Sequence, residues 1–240
     1  LTEPDAEYHL MPPLPQFSTF KTRTWWHRGE PYTRTELILD GAVHAIGLLI
    51  AAGMGGALLA LAGVSTAPSE LPMLAVYVGS LVVVLTVSLA FNLAPVTPLK
   101  RFLARLDQAA IFLLIAGTYT PLLALLTGAL GDIMLAAVWG AALVGIALKL
   151  IVPQHFGRLA LVLYLGIGWS GIVVFQALAA ALPPSTLWLL LAGGVAYSSG
   201  IIFHVWERLR FHNVLWHCFV VTGATLHLWA VLDCMVLRRL

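Results

Sequence analysis

The chain has 240 residues, 60% of them hydrophobic and only 10% charged, with a mean hydropathy of +0.92. A soluble domain carries about 25% charged residues, so this composition excludes an ordinary water-soluble core and marks an integral membrane protein. The net charge of +2, with the basic residues spread along the chain, excludes nucleic acid as a partner.

Residues 1–31 are polar and Pro-rich (Pro4, Pro12, Pro13, Pro15) and read as an extended cytoplasmic tail ahead of a membrane domain at 32–240. No apolar stretch follows a basic start there, so no cleavable signal peptide is expected. Trp25 and Trp26, beside Lys21, Arg23 and Arg28, suit a headgroup surface. Seven apolar stretches follow, at 36–62, 72–95, 104–127, 130–152, 156–182, 185–207 and 213–236. Each is near or above the roughly 20 residues that span a bilayer. The fold expected is an all-α bundle of seven transmembrane helices whose short connections make neighbours antiparallel. Cys218 and Cys234 fall about four turns apart on the last helix and cannot bridge each other.

Eleven of the thirteen Lys and Arg residues fall on one side of this arrangement: Lys21, Arg23, Arg28 and Arg34 in the tail, Lys100, Arg101 and Arg105 in the loop after the second span, Lys149 and Arg158 in the fourth-to-fifth connection, and Arg208 and Arg210 in the sixth-to-seventh; only Arg238 and Arg239 fall on the other. The positive-inside rule then puts the N-terminus in the cytoplasm and the C-terminus outside.

The membrane-embedded polar residues gather near the cytoplasmic boundary. Glu36, Asp40 and His44 are spaced i, i+4, i+8 on the first span and share a helix face. Glu36 is equally explained as an N-terminal cap; Asp40 and His44 lie deeper and read as an inward-facing pair. Ser88 and Asn92 share a face at the end of the second span. Alone, Ser88 reads as bonding its own i−4 carbonyl, and Asn92 equally as a C-terminal cap. Asp107 opens the third span, where a helix-dipole cap competes with a site. Further along, Thr118 and Thr120 flank Pro121 and can satisfy carbonyls freed by the proline. Asn213 and His217 are i, i+4 on the last span. His227 reads as a packing residue, His204 as a boundary residue beside Trp206, and His155 and His212 as loop residues. No nucleophile elbow, phosphate loop, haem attachment motif or His-Glu-x-x-His helix occurs, nor the paired broken helices of an inverted-repeat transporter.

Four pieces in order, Glu36-(x)3-Asp40-(x)3-His44, Ser88-(x)3-Asn92, Leu106-Asp107 through Ile111-Phe112 to Thr118-Tyr119-Thr120-Pro121, and Trp216-His217-Cys218-Phe219-Val220 with His227 beyond, resemble the hemolysin III family. These are bacterial members of the progestin and adiponectin receptor superfamily of seven-span proteins, and the resemblance covers about residues 32–236. It implies a bacterial cytoplasmic (inner) membrane protein, a zinc site at the cytoplasmic end, and lipid amide hydrolysis of the ceramidase type. Position by position, it implies Asn92, Asn213 and His217 at the zinc-ligand positions, with Ser88 and Asp107 holding a metal-bound water. Two of those three ligand positions are asparagine here. Zinc prefers thiolate, imidazole or carboxylate, so zinc is disfavoured and an all-protein hydrogen-bond cluster is favoured, unless Asp40, His44 or Glu36 completes a shifted site.

Three functions compete. The first is a lipid amide hydrolase with Asp107 or His44 moving the proton; without a metal, Asp40 or Asp107 is the candidate base. The second is a non-enzymatic subunit of a larger membrane complex, joined through the tail or the Gly53, Gly55 and Gly56 face of the first helix. The third, the pore or cytolysin of the family name, ranks lowest, because polar groups at one end do not make a through-channel.

Overall fold

A computed structural model describes residues 32–95, 97–152 and 157–239. The readings made of residues 1–31, of His155 and of Arg158's side chain lie outside them. Seven helical spans, all apolar and long enough to cross a membrane, make up the described residues, and no strand occurs among them. They are α1 (Arg34–Ser65), α2 (Leu71–Leu93), α3 (Pro98–Leu123), α4 (Ala129–Ile151), a broken fifth span, α7 (Pro184–Val205) and α8 (His212–Leu232). The fifth span is α5 (Gly157–Gly168), a 3-10 turn at Ser170–Val174, and α6 (Phe175–Ala181). A π-helical turn, Asp233–Leu237, extends α8.

At 32 residues, α1 is about 48 Å long, well beyond a hydrocarbon core of about 30 Å. Its first turn is fixed by a capping box: Thr33 N donates to Glu36 Oε2 (2.8 Å) and Glu36 N donates to Thr33 Oγ1 (3.3 Å). That outcome favours the cap reading of Glu36. The α3 helix begins six residues earlier than the hydropathy pattern suggested, because Pro98 fits the first turn of a helix. Two consequences correct the sequence reading. Lys100, Arg101 and Arg105 are helical rather than in a loop, and Asp107 lies about 14 Å inside the helix, too deep to be a dipole cap. Lys100 turns back to donate to the Asn92 (3.3 Å) and Ala94 (2.9 Å) carbonyls, and so closes the C-terminus of α2.

Buried residues occupy 61% of the apolar window in both α3 and the last span, against 17–28% in α1, α4, the fifth span and α7. The centre of the bundle is therefore α3 and α8, with the others set around them. Leu58, Leu74, Tyr77, Leu81, Leu123, Leu228 and Val231 form the main apolar core, toward the end opposite the acid and amide residues. Lipid cannot drive helices together by apolar burial, so close backbone approach matters more. A Cβ on Gly47 would stand 2.9 Å from Val221, and one on Gly55 2.9 Å from Val78. Gly53 and Gly56 meet nothing within 4 Å and face outward.

The break in the fifth span had no counterpart in the sequence reading. Tyr119 of α3 repairs its backbone: the phenol donates to the Gly168 carbonyl (2.8 Å) and accepts from Gly171 N (2.7 Å). Each exposed backbone group inside a bilayer needs such a partner. The neighbouring threonines behave otherwise than expected. Thr118 and Thr120 donate to the Leu114 and Ala116 carbonyls (2.8 Å each), so neither serves the Gly117 carbonyl that Pro121 deprives of its helix donor.

Candidate functional site

The i, i+4 spacing of Asp40 and His44 on α1 and the position of His217 one turn into α8 bring three side chains to a single buried point. Asp40 is 2% exposed, His44 1% and His217 6%. His217 donates through Nδ1 to Asp40 Oδ1 (2.5 Å). His44 donates through Nδ1 to the Asp40 backbone carbonyl (2.8 Å), and the two imidazole rings meet edge to face with centroids 4.3 Å apart. Both donations use the Nδ1 proton, which leaves each ring one nitrogen lone pair. Asp40 Oδ2 is buried and accepts no hydrogen bond among the described residues. An unsatisfied buried oxygen costs about 1–3 kcal/mol, so this atom marks where something polar would be held.

Around this centre stand the other expected residues. The Ser88 hydroxyl lies within reach of Asp107, whose carboxylate is also within electrostatic reach of His217 and Asp40. The expectation that Ser88 merely bonds its own helix fails, because Asp107 sits deep enough on α3 to face it. Asn92 is not a C-terminal cap either. Its amide donates to the Ser88 carbonyl (2.8 Å), and its Oδ1 accepts from Asn213 Nδ2 (3.2 Å), bridging α2 to α8. Glu36 stays at the rim, where Oε1 accepts from Phe211 N (3.2 Å). Phe211 has a left-handed backbone (φ 62°), a strained state for a bulky residue, and the Glu36 contact helps hold it. His204 does not join the cluster; its ring packs on Trp216, centroids 4.9 Å apart. His212, expected in a loop, is the buried first residue of α8, 5.9 Å from the Tyr32 ring. His227 is a packing residue as read: Nε2 donates to the Leu190 carbonyl (3.1 Å) and the ring meets Tyr197.

Two polar groups were missed. Lys149 is a buried residue of α4 (2% exposed), not a loop charge, and donates to Gln108 Oε1 (2.6 Å), while Tyr164 donates to the Gln108 carbonyl (2.6 Å). At the opposite end Asp233 accepts from Ser185 and Thr186 (2.7 Å each) and pairs with Arg238 (3.3 Å). Polar groups are thus not confined to one end. The only available signal was Asp233 itself, an acid near the end of an apolar span.

The positions first considered for zinc do not fit it. Asn92 Oδ1 is already taken by Asn213, and the Asn92 and Asn213 amides present N–H donors, which repel a cation. His217 has no second good ligand there.

A haemolysin-III-related family model matches residues 32–228. The chain belongs to that family. Hemolysin-3 homolog of Bacillus subtilis is 42% identical over 134 residues, which are 55% of this chain and 63% of that protein. Hemolysin-3 of Bacillus cereus is likewise 42% identical over 134 residues, 61% of its length. Monocyte to macrophage differentiation factor of Homo sapiens is 28% identical over 127 residues, 52% of each chain. The chain therefore spans less than two thirds of the length of these relatives. Family membership and the seven spans place this haemolysin-III-related protein in a lipid bilayer.

Proposed function

We propose that the buried polar face is a hydrolytic centre for a lipid amide, at the cytoplasmic end of the bundle in a bacterial inner membrane. The observation that carries this reading is the convergence of Asp40 and His44 from α1 and His217 from α8 on one buried point, with Asp107 of α3 within electrostatic reach of it. Ionisable groups held inside a membrane are costly and mark functional sites. In this scheme Asp40 fixes the His217 ring, and one imidazole lone pair holds a water by one of its two protons, leaving the other free to leave. Asp107, steadied by the Ser88 hydroxyl, takes a proton from that water as its oxygen attacks the amide carbonyl. The Asn213 amide, which bonds Asn92 and lies 3.5 Å from His217 Nδ1, turns its second N–H to the developing oxyanion. The carbon–nitrogen bond then breaks, Asp107 returns the proton to the leaving amine, and a fatty acid and an amine result.

Access is the demanding step. The groove along Tyr32, Glu36, Asp40, Phe211 and Asn213 is too narrow to admit even a water molecule, far from the roughly 300–1,000 Å³ of a ligand pocket. A lipid amide enters by parting α1 from the α7–α8 turn. Purified protein in lipid nanodiscs is expected to release fatty acid from at least one member of a panel of ceramides and N-acyl amines, read by mass spectrometry; no release from any of them contradicts the reading. The tightness of the same groove favours a second reading, a non-enzymatic membrane subunit. Stoichiometric co-purification with a partner, together with no turnover, would establish that one.

A further inference from the structure

We infer that Asp40, His44 and His217 form a binding site for a divalent transition-metal ion, displaced from the asparagine positions onto α1. The inference rests on reading this face as the working site, though not on hydrolysis itself. Three observations carry it. One ligand atom from each of the three residues lies within 4.8 Å of the others, and all three residues are buried. Asp40 Oδ2 is buried without a hydrogen bond. His44 Nδ1 is committed to the Asp40 backbone carbonyl, a bond of the kind that orients a metal-ligating histidine, whereas the His217 Nδ1–Asp40 Oδ1 hydrogen bond is the one given up to the ion.

The fit is close. Ligand atoms sharing a tetrahedral ion at about 2.1 Å stand about 3.4 Å apart, so small rotations about the side-chain bonds draw the three atoms together. One carboxylate and two imidazoles are a donor set for zinc or iron(II), with positions left open for water. Asp107, with Ser88 beside it, lies within electrostatic reach of His217 and Asp40. The close approach of Gly47 to Val221 sets the α1–α8 spacing one turn deeper, so the gap between His44 and His217 is defined by packing. Asn92 and Asn213 lie outside the ligand set, which explains how a chain with amides there can still hold an ion.

The test uses full-length protein in nanodiscs, stripped with chelator and titrated with cobalt(II), with zinc(II) in competition. One cobalt per chain is expected, with the visible band of a low-coordinate site. The wild-type proton NMR spectrum is expected to show two paramagnetically shifted imidazole N–H signals, because each ligating ring keeps the proton on its other nitrogen. His44→Ala and Asp40→Asn should each weaken binding by at least ~10-fold, while Asn92→Ala leaves it unchanged. No stoichiometric cobalt, a single shifted imidazole signal, or binding that survives His44→Ala but not Asn92→Ala overturns the site. The NMR count needs no variant, so misfolding of a mutant cannot mask it. Lipid amide turnover measured on the same samples separates the two ideas. Cobalt bound without turnover removes the hydrolytic reading and keeps the site; turnover in metal-stripped protein that binds no cobalt removes the site and keeps hydrolysis.

Discussion

Asp40 accepts from His217 through Oδ1 and from His44 through its backbone carbonyl, and leaves Oδ2 unsatisfied. Truncating it to alanine strands the His217 N–H in a buried site, at a cost of about 1–3 kcal/mol. The Asp40→Ala protein should therefore melt below wild type in detergent, and a larger deficit is expected than for the exposed cap variant Thr33→Ala, which removes about 1 kcal/mol. An equal or smaller loss for Asp40→Ala would mean that the cluster contributes no more than a surface cap. At this scale the first-span pattern was legible because helical spacing alone puts Glu36, Asp40 and His44 on one face. The separation of Glu36 from the other two was legible only in part: its Thr33 capping box is local, but its contact at the rim is with Phe211, 175 residues away. Lys149 was misread for the same reason: its partner Gln108 is 41 positions earlier, and nothing local in the sequence distinguishes a buried lysine from an interfacial one.

The fifth span and the α1–α8 seam show what hydropathy leaves out. Apolar residues run through the span without a gap, so composition reads one helix, while the backbone breaks at Gly168–Gly171 and is repaired by a tyrosine from α3. Tyr119→Phe deletes both bonds. It should cost about 1–3 kcal/mol and speed amide exchange at Gly171, measured by hydrogen–deuterium exchange; unaltered protection there would refute the repair. At the seam, Gly47→Ala drives a methyl into Val221. Overpacking of this kind costs about 1–3 kcal/mol, and Val221→Ala in the same chain should restore the melting temperature. Failure of that rescue would mean that the seam is not set at this contact. The start of α3 was misplaced because Pro98 reads as a breaker in a hydropathy window, whereas its fixed φ suits the first turn of a helix.

For the whole molecule, span number and helical class were legible because each span carries its own apolar signal, independent of tertiary context. The packing order was legible only in part: α3 is the least apolar of the spans, in keeping with its central place, but α8 is as apolar as peripheral α7 and differs from it only in burial. The charge asymmetry predicts a direction for the bundle that labelling can check. With an impermeant thiol reagent on intact cells, Ser69→Cys in the α1–α2 turn should react and Thr97→Cys in the α2–α3 turn should not; the reverse pattern would invert the orientation. The account as a whole rests on residues of α1, α3 and α8 acting as one centre. The most direct measurement is the rate of lipid amide hydrolysis by wild type, Asp107→Asn and Asp40→Asn in nanodiscs, with folding of each verified by its thermal transition. The expected result is turnover by wild type and a loss of at least ~100-fold in kcat for Asp107→Asn, the smallest effect ordinarily attached to a proton-transfer group, with a comparable loss for Asp40→Asn. Turnover that survives both substitutions in folded protein would contradict it.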